Sequence, residues 1–424
     1  MKIKLDSNSS HALWLVFDKS IKLVSTLLVI VFMTRVLGPE KFGEFSYVQS
    51  IFTIIFTFSL LGLESILVKK ASENNPHEYI FTAILMRLLF AALIIPLLLI
   101  YGVAFGNDNY VLISIMTLSL IATAFHSIET WYHLNLLGRF LVKISVFSNV
   151  ILLAIKFIVL LNTSNLYVIC AAFAFDGIFV SIGLITLFGR SGGDYKKLKI
   201  TVESFSNKSK ELLSDSWPLI LNSLIVIVYM RIDQLMIRSL LGDYSLGVYS
   251  VAVRLTEMWY FVPTMIVAGY YPKLLKKKKE GQAELIKELI TLAKKVYKIS
   301  YIAIVLIFMF SGWAISLLFG DEFLTAKEPL SILLISGVIV SLGLVRGKWI
   351  VIEELQRYTV LYLVSGLIAN VILNLILIPR IGIAGAALAT LLSQTVGTII
   401  MPLFINKTRY ITLALIKATF LYGR

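Results

Sequence analysis

Stretches of about 20 mostly apolar residues, long enough to cross a membrane as helix, recur along this chain. "LVSTLLVIVFMTRVL" (23–37) and "SILLISGVIVSLGLV" (331–345) are parts of two of them. The hydrocarbon layer they match is roughly 30 Å thick. No water reaches backbone amides there, so only helices and closed barrels can span it. A barrel needs alternating strands of about 10 residues, and these runs do not alternate. Of the 424 residues, 58% are hydrophobic and 15% charged. A water-soluble chain of that balance would precipitate, so the sequence reads as an all-α integral membrane protein.

The runs predict twelve transmembrane helices, at 12–37, 45–68, 79–105, 110–137, 140–161, 165–188, 217–241, 246–271, 296–319, 328–352, 359–378 and 382–404. Lys and Arg concentrate in cytoplasmic loops. With both termini cytoplasmic, the inner loops hold Lys69, Lys70, Arg139, six basic residues in 189–216 and eight in 272–295. The outer loops then hold little beyond Lys41, Lys327 and Arg380. This asymmetry explains most of the net charge of +14 and points to anionic lipid rather than nucleic acid as the basic face's partner. The first span carries Asp18, Lys19 and Lys22 and lacks a cleavage site, so it does not read as a removable signal. The single cysteine, Cys170, supports neither a disulfide framework nor a cysteine metal site.

"LGPEKFGEFS" (37–46) recurs as "LGDYSLGVYS" (241–250), 204 residues on. "WYHLNLLGRF" (131–140) and "WIVIEELQRY" (349–358) share Trp, seven residues, Arg and an aromatic, 218 apart. An even number of spans separates the copies, which predicts a parallel internal repeat of two six-helix bundles, as in many transporters. The expected organisation is an N-terminal bundle (1–188), a cytoplasmic linker (189–216), a C-terminal bundle (217–404) and a cytoplasmic tail (405–424).

Charges inside the spans are costly, about 2.5–3.5 kcal/mol each at a helix centre, so they should meet partners or a wet cavity. "YMRIDQLMI" (229–237) holds two. Arg231 and Asp233 lie two residues apart on a helix and cannot face each other. Arg231 shares a stripe with Gln234 and Arg238; Asp233 shares another with Asn222 and Tyr229. Arg254 and Glu257, three apart on the next span, offer a face to receive one stripe. Lys19, Lys22, Arg35 and Arg87 add cations in the first half, against which stand Asp18 and Asp176. A surplus of cations suits an anion such as phosphate, which arginine forks bind well, or a buried network that only locks helices together. In the fourth span His126, Glu129 and His133 fall on one helix face, as a proton relay, a cation site or a packed stripe would place them.

Lysines across 272–295 suit either a lipid-binding amphipathic helix or an orientation signal. Pro96 and Pro263 predict kinks, and "GIAGAALAT" (382–390) predicts close helix packing. No nucleotide-binding Gly-Lys-Ser/Thr loop, paired carboxylates or long outer loop is present, so neither a motor nor an enzyme is expected, and no metal or other cofactor is required.

"TRVLGPEKFGEFSYVQS" (34–50), "YMRIDQLMI" (229–237), "LGDYSLGVYSVAVRLTEMWYFVP" (241–263) and "NVILNLILIPRIGIAGAALATLLSQ" (370–394) together resemble the Wzx-type polysaccharide flippases of the multidrug/oligosaccharidyl-lipid/polysaccharide exporter superfamily. The resemblance covers essentially the whole chain. It implies translocation of an undecaprenyl-diphosphate-linked oligosaccharide, an O-antigen or related repeat unit, from the cytoplasmic to the periplasmic leaflet of a bacterial inner membrane. It implies alternating access driven by a proton or sodium gradient, with membrane lipid and other polysaccharide assembly proteins as further partners. Arg231 and Asp233 carry over by motif position. The competing readings are a cation-coupled multidrug antiporter, which would want an acidic cavity; a membrane polysaccharide polymerase or ligase, which would want a large outer loop; and a scaffold without transport.

Overall fold

The computed structural model describes residues 7–198 and 200–420, with side chains from Asp18 to Thr419 other than Lys199. Every regular element among them is helical. Nine helices there are long and apolar enough to cross a membrane: Asp18–Glu73, Pro76–Ala104, Asp108–Leu134, Gly138–Asn162, Leu166–Ser191, Val202–Glu280, Gln282–Phe319, Asp321–Ile352 and Arg357–Phe404.

Several of the nine are broken internally. Gly38 (φ 68°, ψ 175°) and Gly242 (φ 84°, ψ 180°) leave the helical region, as do Ile381 and Gly382. Without a Cβ, glycine takes positive φ at no steric cost. Pro39 and Asp243, which follow the first two glycines, both suit a new helix start, one by its fixed φ and the other by its negative charge. The helices run through Pro96 and Pro263 without leaving helical torsions, so glycine rather than proline sets these breaks.

By its internal contacts the chain divides into two compact units, Met1–Leu37 with Val48–Ile227 and Gly38–Tyr47 with Val228–Arg424. In the first, helix Pro76–Ala104 serves two apolar cores with adjoining faces. Tyr79, Ala83 and Met86 pack with Leu63, Leu67 and Leu212; Ile80 and Ile84 pack with Ile128, Tyr132, Leu184 and Phe188. In the second, Leu285, Leu289, Leu292 and Val296 repeat at helical spacing and meet Val345, Trp349, Ile411 and Leu415. The last two belong to a helix, Asn406–Phe420, within the stretch read from sequence as a tail.

The repeated sequence motifs share backbone geometry. Leu136 (φ 55°) and Glu354 (φ 57°), 218 residues apart, are both left-handed. Leu137 N donates to Tyr132 O (2.8 Å) and Leu355 N to Ile350 O (2.9 Å), the bond that closes a helix over a left-handed residue. Leucine is strained in that region by about 1–2 kcal/mol. Leu136 is 81% exposed, so glycine there sacrifices little packing. Leu136→Gly should therefore stabilise the detergent-purified protein by about 0.5–1 kcal/mol after glycine's extra chain entropy. A fall in the thermal unfolding midpoint would contradict the turn.

Within the second unit, 38–47 and 242–250 cross with backbones in contact. A Cβ on Gly43 would overlap the Asp243 carbonyl, and one on Gly247 would overlap the Pro39 carbonyl. Each contact becomes the other when the two copies of the motif are exchanged. Phe42 and Phe323, both buried, pack beside the crossing with ring centroids 6.2 Å apart.

Candidate functional site

The helix broken at Gly242 places the two charges of "YMRIDQLMI" in different surroundings. Arg231 Nη1 donates to Glu257 Oε1 at 2.9 Å, and Arg254 Nη1 lies 3.6 Å from Glu257 Oε2. One carboxylate thus faces two guanidinium groups, leaving a net positive cluster. The side chains of Arg231, Arg254 and Glu257 are only 10%, 15% and 24% exposed. Arg231 Nε is buried without an acceptor. The face formed by Arg254 and Glu257, which the spacing offers to either stripe, therefore receives Arg231. Buried cations with spare donors can hold a phosphate or another anionic group.

Asp233 sits among neutral polar groups instead. Asn374 Nδ2 donates to its Oδ1 at 2.7 Å and Tyr249 OH to its Oδ2 at 3.1 Å; the Thr390 hydroxyl also donates to Oδ2. Asn374 Nδ2 also reaches Asn370 Oδ1 at 3.0 Å, and Asn370 Nδ2 reaches Ser393 Oγ at 3.3 Å. Tyr229, on the Asp233 stripe, donates to the same Ser393 at 3.0 Å. Asn374 Oδ1 is buried with no hydrogen-bond partner. A buried carboxylate that receives one amide and two hydroxyl donors, beside an orphaned amide oxygen, is a group that a proton or a hard monovalent cation would neutralise.

Sequence reasoning missed Asn370, Asn374, Thr390 and Tyr249 as partners. The signal for the first pair was present: two asparagines one helical turn apart in the apolar run "NVILNLILIP".

The other candidates are scattered. Arg238 donates Nε to Asp243 Oδ1 at 2.7 Å and lies 3.7 Å from the Tyr47 ring centroid, beside the Gly242 break. It shares the Arg231 stripe but lies about two turns farther along. Arg35 is exposed. Lys22 pairs with Asp18 at 2.9 Å, and Lys19 is exposed. Arg87 is buried and donates to Leu60 O at 3.2 Å. That carbonyl, which also accepts from Leu63 N at 3.1 Å, lies where the chain leaves the helix at Leu61 (φ 53°) and Gly62 (φ 57°), so Arg87 buttresses a backbone break.

A tight 3-10 turn, Ala124–Ile128, interrupts the fourth apolar stretch and brings His126 Nδ1 to 3.5 Å from Glu129 Oε1. His126 Nε2 is buried without a hydrogen-bond partner. His133 is exposed, so the three-residue stripe comes together only in part. Asp176 pairs with Lys156 at 2.7 Å, and that ammonium lies 3.9 Å from the Phe173 ring centroid.

Comparison with known proteins bears on the family and the fold. The chain is 26% identical over 391 residues to the capsular polysaccharide biosynthesis protein CapF of Staphylococcus aureus, covering 88% of this chain and 92% of that one. It is 24% identical to the probable low-salt glycan biosynthesis flippase Agl15 of Haloferax volcanii, covering 88% and 78%. Its fold is similar to the lipid II flippase MurJ in an inward closed conformation (TM-score 0.67, 15% identity, 96% and 91% covered). It is similar also to an inward-facing multidrug resistance MATE transporter of the MOP superfamily (TM-score 0.64, 14% identity, 94% and 96% covered). Residues 11–278 match the model of one family, and with those residues spanning more than half its length the chain belongs to the polysaccharide biosynthesis protein family.

Proposed function

We propose that this chain is a flippase for an undecaprenyl-diphosphate-linked oligosaccharide, an O-antigen or related polysaccharide repeat unit. It carries that lipid from the cytoplasmic to the periplasmic leaflet of a bacterial inner membrane by alternating access, coupled to a proton or sodium gradient, and breaks no covalent bond. Twelve transmembrane helices follow when the helices broken at Gly38, at Gly242 and at Ile381 and Gly382 are each counted as two. The matched torsions at Gly38 and Gly242, and at Leu136 and Glu354, support two six-helix bundles related by a parallel repeat. The distribution of Lys and Arg supports cytoplasmic termini.

The observation that carries the substrate reading is the Arg231–Glu257–Arg254 cluster, two cations on one carboxylate at membrane depth. A diphosphate-linked sugar is an anion that such a cluster would hold, while the polyprenyl tail remains in lipid. A multidrug antiporter of the same fold is the second reading. Cationic drugs would be repelled by this surplus, and a strain expressing the chain should gain no resistance to them.

The Asp233 nest is the proposed coupling site. In proteoliposomes loaded with a fluorescent undecaprenyl-diphosphate oligosaccharide, an imposed sodium or proton gradient should accelerate flipping by the wild-type chain. Asp233→Asn, which keeps the shape and loses the charge, should abolish that acceleration, a loss of about tenfold or more. Gradient-dependent flipping at the wild-type rate in this variant would remove Asp233 from coupling.

A further inference from the structure

The helical elbow at Gly281 (φ 133°), where Val202–Glu280 meets Gln282–Phe319, carries charge that the transport site leaves unexplained. Between Lys273 and Lys298 lie nine lysines and three glutamates. Several lysines are already engaged: Lys273 with Glu288 at 2.6 Å, Lys277 with Glu280 at 2.5 Å and Lys278 with Glu353 at 2.5 Å. The Lys287 ammonium has no hydrogen-bonded or ion-paired partner among the described residues, and the Lys287 carbonyl accepts from the Thr291 hydroxyl at 2.9 Å. With Lys294 it lines an open groove of 540 Å³ that includes Ala283, Ile286, Ile290 and Thr291.

These six residues recur at helical spacing and occupy one face of the helix. Ile286 and Ile290 form its apolar edge and also rest on the core of the second unit. Lys287 and Lys294 form its cationic edge, about two turns apart, with the Thr291 hydroxyl between them. An apolar strip beside two cations is complementary to a phosphate headgroup with an acyl chain attached.

We propose that this groove binds one anionic glycerophospholipid from the leaflet the elbow faces. Lys287 and Lys294 hold the phosphate, and Ile286 and Ile290 contact the acyl chain. The inference draws on the proposed topology only in making that leaflet the cytoplasmic one. Lipid bound here ties the elbow to the membrane surface through two charge contacts.

The test is native mass spectrometry of the full chain in detergent, titrated with palmitoyl-oleoyl phosphatidylglycerol or phosphatidylcholine. The wild type should retain phosphatidylglycerol in preference. Lys287→Gln/Lys294→Gln should weaken that binding about tenfold. Lys276→Gln/Lys279→Gln removes the same charge from exposed positions outside the groove and should leave binding within about twofold. Equal weakening by both variants, or no preference over phosphatidylcholine, overturns the site. Displacement of phosphatidylglycerol by undecaprenyl phosphate at lower concentration overturns the choice of a resident phospholipid. The measurement needs no transport, so a chain that binds phosphatidylglycerol but moves no oligosaccharide defeats the proposed function and leaves this site standing.

Discussion

Arg231→Ala is expected to leave a polysaccharide-dependent strain without surface polysaccharide, although the variant still inserts in the membrane. The substitution removes the guanidinium that bonds Glu257 at 2.9 Å and leaves that carboxylate with Arg254 at 3.6 Å. Breaking a fully buried ion pair costs about 3–5 kcal/mol. With Glu257 24% exposed, a loss near 2 kcal/mol is the fitting estimate here. A structural role and a substrate role separate in the conservative variant. Arg231→Lys keeps the charge but not the fork, so stability should recover while transport recovers only in part. Full polysaccharide in the Arg231→Ala strain would exclude Arg231 from substrate handling.

The second large effect is expected at the paired glycines. Gly43→Leu or Gly247→Leu drives a side chain into a backbone carbonyl across the crossing, at Asp243 or Pro39. Neither carbonyl can swing aside as a flexible side chain would, so the crossing must separate. Overpacking of this kind costs about 1–3 kcal/mol, and more against rigid backbone. Export should fall close to the background of a strain lacking the chain. Gly269 is the control, because nothing lies within 4 Å of a Cβ built there. Gly269→Leu should retain wild-type export and thermal stability. Equal damage from all three substitutions would mean that leucine, and not the crossing, is at fault.

How much of this was legible beforehand depends on which physical rule governed each residue. Hydropathy and the lipid's demand for paired amides are local, so the helices followed from composition and length. Helical phase offered the face of Arg254 and Glu257 to one of two stripes, and the structure pairs Glu257 with Arg231. Phase alone misleads where the helix is irregular. The 3-10 turn around His126, set against Gly177 and Thr123, breaks the uniform 100° step that put His126, Glu129 and His133 on one face. Arg87 donates to a backbone carbonyl 27 residues earlier, a partner that no spacing rule could name. The Asp233 nest gathers residues up to 157 positions away, beyond any periodicity in a single sequence.

The matched turning points have one more consequence, for the elbow. The proposed duplicates share positive-φ corners at Gly38 and Gly242 and at Leu136 and Glu354. The straight pieces between them did not stay equal. Helix Gln282–Phe319 has 38 residues, whereas Pro76–Ala104, at the corresponding place in the first half, has 29. The difference is about 13 Å of helix, and the lysine-lined groove lies along the longer limb. The first half has only a two-residue connection there, Asn74 and Asn75, with Lys69 and Lys70 in the helix before it. On the proposed repeat, the corners match while one edge is longer, and the groove lies along that longer edge.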